Sequence, residues 1–241
     1  MENSLTLALA RQTVLARQMD VIATNLANAN TAAYKSEEMI FQEFLEQTET
    51  GEILSLVHDV SFMRDVSEGP LVRTGGSLDV AIHGDGFLRV QTPEGERYSR
   101  HGVLQLDTEG QLVTTLGHPV LGTGGTPILL PPDAANIVIA RDGTVSADGQ
   151  AVGQLDLVAF ENEQALKKFG ESLYDALEQV PQAADSTEVL QGMVEQSNVQ
   201  EVTEITRMID TQRAYQAAAK LADTEHQRIL DAIQALVDTS A

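Results

Sequence analysis

Apolar residues recur at helical spacing at both ends of the chain, and neither of these end segments contains a glycine or a proline. The N-terminal stretch places them at Leu5, Leu9, Met19, Ile22 and Leu26. The C-terminal stretch repeats the pattern at Val202, Ile205, Ile209, Tyr215, Ile229, Ile233 and Leu236. This spacing predicts one long amphipathic helix at each end. Because neither stripe has another obvious apolar partner in the chain, we expect the two helices to pair and these residues to form an assembly interface.

The pattern changes to strict alternation in the middle of the chain, as in "SLDVAIHGDGFLRVQT" (residues 77–92). Alternation predicts half-buried strands, and the Asp-Gly pairs predict tight hairpins between them. All 18 glycines lie between Gly51 and Gly192, and all 7 prolines between Pro70 and Pro181. The expected fold class is therefore α+β, with paired, coiled-coil-like terminal helices around a central all-β domain.

These patterns also predict domain boundaries. We expect a discontinuous inner helical domain at 1–35 and 190–241, and an outer β domain at 70–185. The intervening residues 36–69 are of mixed character and are expected to form a connector with a short helix. Residues 162–180 are expected to form a short helical or extended return segment.

Three asparagines, Asn25, Asn28 and Asn30, are concentrated at the end of the predicted N-terminal helix. Asparagine is unfavourable inside helices and tolerates left-handed backbone angles. One such residue is explained by an ordinary helix C-cap. Three of them favour a joint, at which a rigid helix ends and the chain changes direction.

Composition restricts the classes of partner. The net charge is −21, and residues 1–35 contribute +1 of it, so the remainder carries −22. This balance disfavours nucleic acid and anionic lipid as partners. The chain has no cysteine, which excludes disulfides and thiolate chemistry. No apolar run approaches the ~18 residues of a membrane span, and the N-terminal residues do not resemble a cleavable signal peptide.

A search for catalytic or metal-binding motifs finds none. The five histidines are scattered, without the spacing of a zinc site. "DGTVSADG" (residues 142–149) lacks the ligand spacing of a calcium loop, and Gly84-Asp85-Gly86 is followed by a strand pattern where a nucleotide loop needs a helix. Ser99-Arg100-His101 places a serine near a histidine but gives no local catalytic couple. A couple assembled across the fold stays open. We expect no enzymatic activity, no metal and no cofactor.

Three blocks of the sequence resemble bacterial flagellar rod and hook proteins. Residues 19–35, "MDVIATNLANANTAAYK", resemble the N-terminal signature of that family, and residues 197–229 resemble its C-terminal helix signature. "GDGFLRV", "YSRHGVLQLDTEGQLVTTLGHPVLG" and "VGQLDLVAF" resemble its central domain. The positions that match the signatures are Asn25, Asn28, Asn30, Thr31, Tyr34, Lys35, Gln212 and Arg213. One departure is Ala32-Ala33, where the family commonly has a glycine before Tyr34.

The resemblance implies a structural subunit of the flagellar rod, exported without a cleaved signal peptide. Its implied partners are copies of itself, other proximal and distal rod proteins, and the basal-body ring around the rod. The modest length most resembles the proximal-rod members, and the distal-rod members are the alternative. From another class, a soluble binding or adhesin β module with helical tails also remains open. Tails that serve only as tethers would not need two apolar stripes.

Overall fold

The computed structural model describes residues 2–47 and 53–238, apart from residues 132, 135, 171 and 185. Within that part, the side chains of residues 2–6, 41–60, 232, 233 and 236–238 are not described. The chain divides into two compact units. The helical unit contains residues 1–27, 37–64 and 200–241, and the β unit contains residues 28–36 and 65–199.

Two long helices dominate the helical unit, as the apolar spacing predicts. Helix α1 spans Glu2–Ala27, and helix α2 spans Glu201–Asp238. The end of α1 lies beside the beginning of α2, where the Asn25 side chain reaches Glu204. Neither helix contains glycine or proline, so the backbone hydrogen-bond ladder is uninterrupted.

Fewer residues are buried between α1 and α2 than the apolar stripes of the sequence predicted. Ala8 and Ile22 are buried on α1, and Glu204, Thr211 and Ala218 are buried on α2. The three α2 residues are spaced by seven, which is the period of paired helices. The buried contact face of α2 therefore consists of small and polar side chains, which allow the helices to approach closely.

A hairpin stands where the sequence predicted a connector with a short helix. Strand β1 spans Glu37–Gln47 and strand β2 spans Ile53–Arg64, paired antiparallel from Glu37 opposite Arg64 to Gln47 opposite Ile53. For the described residues of this segment, 36–47 and 53–69, the expectation of a short helix is therefore wrong. Exposure alternates along residues 37–40, as a strand requires. Because the two segments pair with each other over their length, ladder hydrogen bonds replace those a helix would provide.

The β unit contains the remaining described strands, which are short. They are β3 (Leu71–Arg73), β4 (Val80–His83), β5 (Phe87–Thr92), β6 (Gly95–Ser99), β7 (Leu104–Leu106), β8 (Leu112–Thr114), β9 (Ile137–Ile139), β10 (Thr144–Ala147), β11 (Gln150–Gln154), β12 (Leu157–Ala159), β13 (Lys167–Phe169), β14 (Leu173–Asp175), β15 (Gln182–Ala183), β16 (Glu188–Gln191) and β17 (Met193–Glu195). A single 3-10 turn at Glu163–Ala165 precedes β13, so the predicted return segment is mainly extended.

The strands of the β unit form one large sheet and several small ones. The large sheet has the order β13-β14-β6-β5-β12-β15, and a three-stranded sheet has the order β11-β10-β9. The pairs β16-β4, β17-β3 and β7-β8 complete the described pairings. The late strands β16 and β17 thus pair with the earliest strands of the unit. This pairing closes the unit with residues beyond the predicted boundary at 185.

Two apolar clusters form the core of the β unit. The larger includes fully buried Val80, Ile82, Leu88, Val90 and Leu112. The smaller is aromatic: Phe87, Tyr98, Phe160 and Tyr174 pack edge to face, with ring centroids 4.7 to 5.8 Å apart. Alternate residues of two strands enter the larger cluster, Val80 and Ile82 from β4 and Leu88 and Val90 from β5, as the period-two pattern requires.

Candidate assembly site

An apolar face of α2 is left uncovered within the chain. Val202 is 79% exposed, and Ile205 and Ile209 are each 45% exposed. Their spacing of three and four residues places them on one side of the helix, away from the buried Glu204 and Thr211. The sequence predicted that each stripe would cover the other, and at this end of α2 that expectation is wrong. The reason is that α1 packs on the small and polar face of α2 instead.

The other predicted interface residues occupy varied environments. Ile22 is buried against α2, whereas Leu9 is 61% exposed. Met19, Leu26, Tyr215 and Ile229 are half-buried. The side chains of Leu5, Ile233 and Leu236 lie outside the described residues. The assembly role of the whole set stays a prediction.

The first signature residue, Asn25, fixes the end of α1 to the start of the hairpin. Its Nδ2 donates to the Glu37 carbonyl oxygen at 2.9 Å, and its Oδ1 accepts from the Glu37 amide at 3.0 Å. Nδ2 also lies 3.4 Å from Glu204 Oε2 on α2. Because a primary amide can donate and accept at once, one buried side chain joins α1, β1 and α2.

The next signature residues belong to the β unit and form a tight turn. The Asn28 carbonyl oxygen accepts from the Thr31 amide at 3.0 Å, and Asn28 Oδ1 accepts from Thr31 Oγ1 at 3.2 Å. Asn30 is exposed beside this turn. The division between the two units falls after Ala27, between Asn25 and Asn28. The predicted joint at these asparagines stays a prediction.

Ala33 has a strained backbone conformation. Its φ is 55°, in the left-handed region that favours glycine, and the residue is buried. The Ala33 amide donates to the Glu195 carbonyl oxygen at 2.9 Å. Tyr34, also buried, packs its ring against Lys168, whose Nζ lies 4.3 Å from the ring centroid. The signature segment is thereby held against the β unit.

The last residue of the N-terminal signature, Lys35, belongs to a buried ionic network. Lys35 Nζ lies 2.6 Å from Glu195 Oε1, which also accepts from the Gly69 amide at 2.9 Å. Glu195 Oε2 accepts from Arg100 Nε at 3.0 Å. Lys35 Nζ also donates to the Ser67 carbonyl oxygen at 2.6 Å. Side-chain exposure is 4% for Lys35 and Arg100 and 0% for Glu195, so two cations share one buried carboxylate.

Arg100 extends this network into the strands. Its Nη1 donates to the carbonyl oxygens of Gly84 and Gly86 at 3.0 Å each, and its Nη2 donates to that of Ile82 at 3.2 Å. Burial lowers the pKa of Lys35, and the charge of Glu195 opposes that shift. A buried charge is tolerated only when it is paired and hydrogen-bonded, and this network meets both conditions.

The C-terminal signature meets the N-terminal one through Asn198. Its Oδ1 accepts from the Ser36 amide at 2.8 Å, and its Nδ2 donates to the Asp65 carbonyl oxygen at 2.9 Å. Its own amide donates to the Tyr34 carbonyl oxygen at 3.3 Å. Asn198 therefore hydrogen-bonds both to residues 34 and 36, before the hairpin, and to residue 65, after it.

Sequence reasoning missed Glu195, Arg100 and the role of Asn198. Asn198 lies inside the quoted C-terminal signature, so a signal existed for it. Arg100 lies inside the quoted central block, so the same signal existed for it. Glu195 carried none, because a charged residue at a strand end is usually solvated. Gln212 and Arg213, the remaining signature positions, are exposed on α2. Between residues 2 and 238, as far as the structure describes them, no group of three or more histidine, aspartate or glutamate residues is placed to hold a metal ion.

Within the described part of the chain, no helix has both the length and the apolar character of a membrane span.

The histidines and turn motifs considered in the sequence do not come together in one site among the described residues. His83 pairs with Glu68, and the Asp142 carboxylate accepts from the Thr144 amide within its own turn. The candidate site therefore consists of the exposed apolar face of α2 and of the hydrogen bonds and ion pairs made by the signature residues.

Comparison with known proteins identifies the class of this chain. Models of three flagellar families match it: the flagella basal body rod protein family at residues 6–35, the flagellar hook protein FlgE/F/G D1 domain at 81–147, and the flagellar basal body rod FlgEFG protein C-terminal family at 190–235. The flagellar basal-body rod protein FlgF of Caulobacter vibrioides is 38% identical, and the match covers 98% of each chain.

Further relatives include both FlgG and FlgF proteins. The rod protein FlgG of Buchnera aphidicola subsp. Schizaphis graminum is 38% identical over 88% of this chain and 91% of its own. FlgF of Mesorhizobium japonicum is 33% identical over 92% of each chain. The chain belongs to the flagellar basal-body rod protein family. It is a structural rod subunit of the bacterial flagellum.

Proposed function

We propose that this chain is the proximal-rod subunit, the counterpart of FlgF, and that it polymerises through α1 and α2. Its partners are copies of itself and other rod proteins, inside the basal-body ring around the rod. It is exported without a cleaved signal peptide to the periplasmic part of the basal body, and as part of the drive shaft it transmits motor torque without catalytic turnover.

The exposed face of α2 carries this proposal. Val202, Ile205 and Ile209 expose apolar surface on a helix whose opposite side is already packed on α1. Burial of apolar surface contributes about 25 cal/mol per Å², so a neighbouring subunit gains free energy by covering this face. The end-to-end match to a FlgF relative favours the proximal rod over the distal rod.

The test is to place a charge on this face. Ile209→Asp should remove the chain from isolated basal bodies and abolish motility, because burying an unpaired charge costs several kcal/mol, roughly 3–5. Thr203→Asp, an exposed position away from the apolar face, is the matched control and should assemble normally. Circular dichroism of both purified variants should match the wild type. Normal rods containing the Ile209→Asp chain would contradict the proposal.

A second measurement separates proximal from distal rod. Basal bodies fractionated into proximal and distal rod segments should contain this chain in the proximal fraction. Its presence only in the distal fraction would support the alternative reading, in which the chain is a FlgG counterpart.

A further inference from the structure

The Asn25 side chain pairs with the first residue of β1 in the way that a neighbouring strand would. Its Oδ1 accepts from the Glu37 amide at 3.0 Å, and its Nδ2 donates to the Glu37 carbonyl oxygen at 2.9 Å. Opposed residues of antiparallel strands are joined by the same exchange of two hydrogen bonds. Helix α1 thus supplies, through one side chain, a backbone-like pairing at the base of the hairpin.

The helix itself does not account for Asn25. The residue lies inside α1, which continues to Ala27, and it is 1% exposed. Asparagine inside a helix is less favourable than alanine, because its amide competes for backbone hydrogen bonds. A residue that ends a helix in the left-handed conformation stands beyond the last helical turn. The contacts of Asn25 with Glu37 therefore explain its position better than helix capping does.

Apolar packing does not fix the described part of the hairpin. None of its described side chains, at residues 37–40 and 61–64, is buried. Ile40 and Met63 are each 44% exposed, and Phe62 is 59% exposed. A cleft of about 380 Å³ also lies between the start of β1 and the two helices. Because close packing is what normally holds two elements in one arrangement, polar contacts must set the direction of this hairpin.

Helix α2 contributes two polar contacts at the same place. Glu204 Oε2 lies 3.4 Å from Asn25 Nδ2, and Glu204 is buried. Arg207 Nη1 donates to Glu204 Oε1 at 3.0 Å and to Glu38 Oε1 at 2.8 Å. The side chains of Arg207 and Glu38 are each 48% exposed, so water screens their ion pair and it contributes little. The buried hydrogen bonds of Asn25 are costlier to lose.

We propose that Asn25 is a positioning residue for rod assembly: by pairing with Glu37 it fixes the direction in which the β1–β2 hairpin leaves the two helices. Strand β1 has 11 residues and is about 36 Å long, so a change of angle at its base is multiplied along that length. This inference rests on the proposed function, in which every copy must present the same surface to its neighbours.

The first test measures the direction of the hairpin in the full-length chain. The sequence contains no cysteine, so spin labels can be attached only where cysteines are introduced, at Gln42→Cys on β1 and Gln216→Cys on α2. Pulsed electron paramagnetic resonance gives the distribution of distances between the labels. Asn25→Ala should make that distribution at least about twice as wide, because other hairpin directions become populated. An equally wide distribution with and without Asn25 would overturn the inference.

A nearly isosteric variant tests the amide itself. Asn25→Asp keeps the shape of the side chain and an acceptor for the Glu37 amide, but it loses the donor and places a second carboxylate beside Glu204. We expect it to widen the distance distribution as Asn25→Ala does. A distribution like that of the wild type would show that the amide is not needed, and the inference would be wrong.

Two controls separate positioning from general stability. Ala8→Gly destabilises the same helix at a buried site about five turns before Asn25, and it should leave the distance distribution unchanged. Glu38→Gln removes the charge of the exposed pair with Arg207 and should also change it little. If Ala8→Gly widened the distribution as much as Asn25→Ala, the effect would be one of stability alone. If Glu38→Gln did so, Arg207 would set the direction in place of Asn25.

The second test measures assembly. Asn25→Ala should reduce the amount of the chain in isolated basal bodies by about fivefold, the ratio that corresponds to the loss of one net hydrogen bond. Thr24→Ala is the matched control: it changes the neighbouring residue, whose exposed hydroxyl donates to the Asp20 carbonyl oxygen of the same helix. Equal incorporation of the two variants would overturn the role of Asn25 in assembly.

The outcomes keep the two claims apart. A wild-type chain that is absent from basal bodies would defeat the proposed function, whereas the distance measurement on the purified chain would still report on Asn25. A wild-type chain that is present, together with an Asn25→Ala variant whose distance distribution is unchanged, would defeat only the positioning role.

Discussion

Lys35 Nζ lies 2.6 Å from Glu195 Oε1, although 160 residues separate the two in the chain. The pair joins the N-terminal signature to the last strand of the β unit, and Arg100 binds the other carboxylate oxygen. Three buried charges that sum to +1 therefore hold the ends of this unit together. The loss in the free energy of unfolding depends on which of these three residues is replaced.

Removing the carboxylate should cost more than removing the lysine. Glu195→Gln leaves Lys35 and Arg100 as two buried cations without a counter-charge, and we expect a loss of about 3–5 kcal/mol in the free energy of unfolding. Lys35→Met leaves a neutral Glu195–Arg100 pair, and the expected loss is about 2 kcal/mol or less. Urea unfolding followed by near-ultraviolet dichroism of the tyrosines measures both. A larger loss for Lys35→Met would contradict this account.

Ala33→Gly should leave the free energy of unfolding unchanged or raise it by up to about 1.5 kcal/mol. The left-handed backbone of Ala33 costs an alanine about 1–2 kcal/mol, which glycine avoids. The greater freedom of glycine in the unfolded chain offsets about 0.5–1 kcal/mol of that gain. Ala81→Gly, at an equally buried position in strand β4, is the control and should destabilise by about 1 kcal/mol. Equal losses for the two variants in urea unfolding would show that Ala33 is not strained.

The contact between His83 and Glu68 should make stability depend on pH. The hydrogen bond that His83 Nδ1 donates to the Glu68 carboxylate, followed by the charge of that carboxylate, raises the pKa of His83 above its ordinary value. A raised folded-state pKa stabilises below the unfolded value, and that contribution is lost as the pH rises through the folded pKa.

The measurement compares wild type with His83→Ala at about pH 5.5 and about pH 8.5. The difference in unfolding free energy should be larger at the lower pH. Glu68→Gln removes the carboxylate and should abolish that pH dependence. A difference that is constant with pH would rule out a role for the protonated imidazole.

The boundaries of the β unit should matter for independent folding. A fragment of residues 65–199 retains β16 and β17, which pair with β4 and β3, and it retains the Arg100–Glu195 contact. It should unfold cooperatively on heating. A fragment of residues 70–185, with the boundaries predicted from the sequence, lacks both strands and buried Val189. We expect it to melt at a lower temperature or without a cooperative transition, and equal melting of the two fragments would contradict the structural boundary.

The sequence by itself determined the class of fold and the family. Helical spacing in residues 2–27 and 201–238 was sufficient for α1 and α2, because both repeats run through long stretches without glycine or proline. Alternation and Asp-Gly turns were sufficient for the central strands. The asparagine-rich signature was recognisable because its residues are contiguous in the chain.

Only the tertiary structure decided which faces are used. The helices pack through Ala8, Ile22, Glu204, Thr211 and Ala218, and a pattern search passes over such a face because it is small and partly polar. The hairpin at residues 37–64 depends on pairing between two segments, which local propensity does not fix. The Lys35–Glu195–Arg100 network joins residues that are distant in sequence. A charged residue has the same local signal whether it is solvated or buried, and its partner is set by the fold.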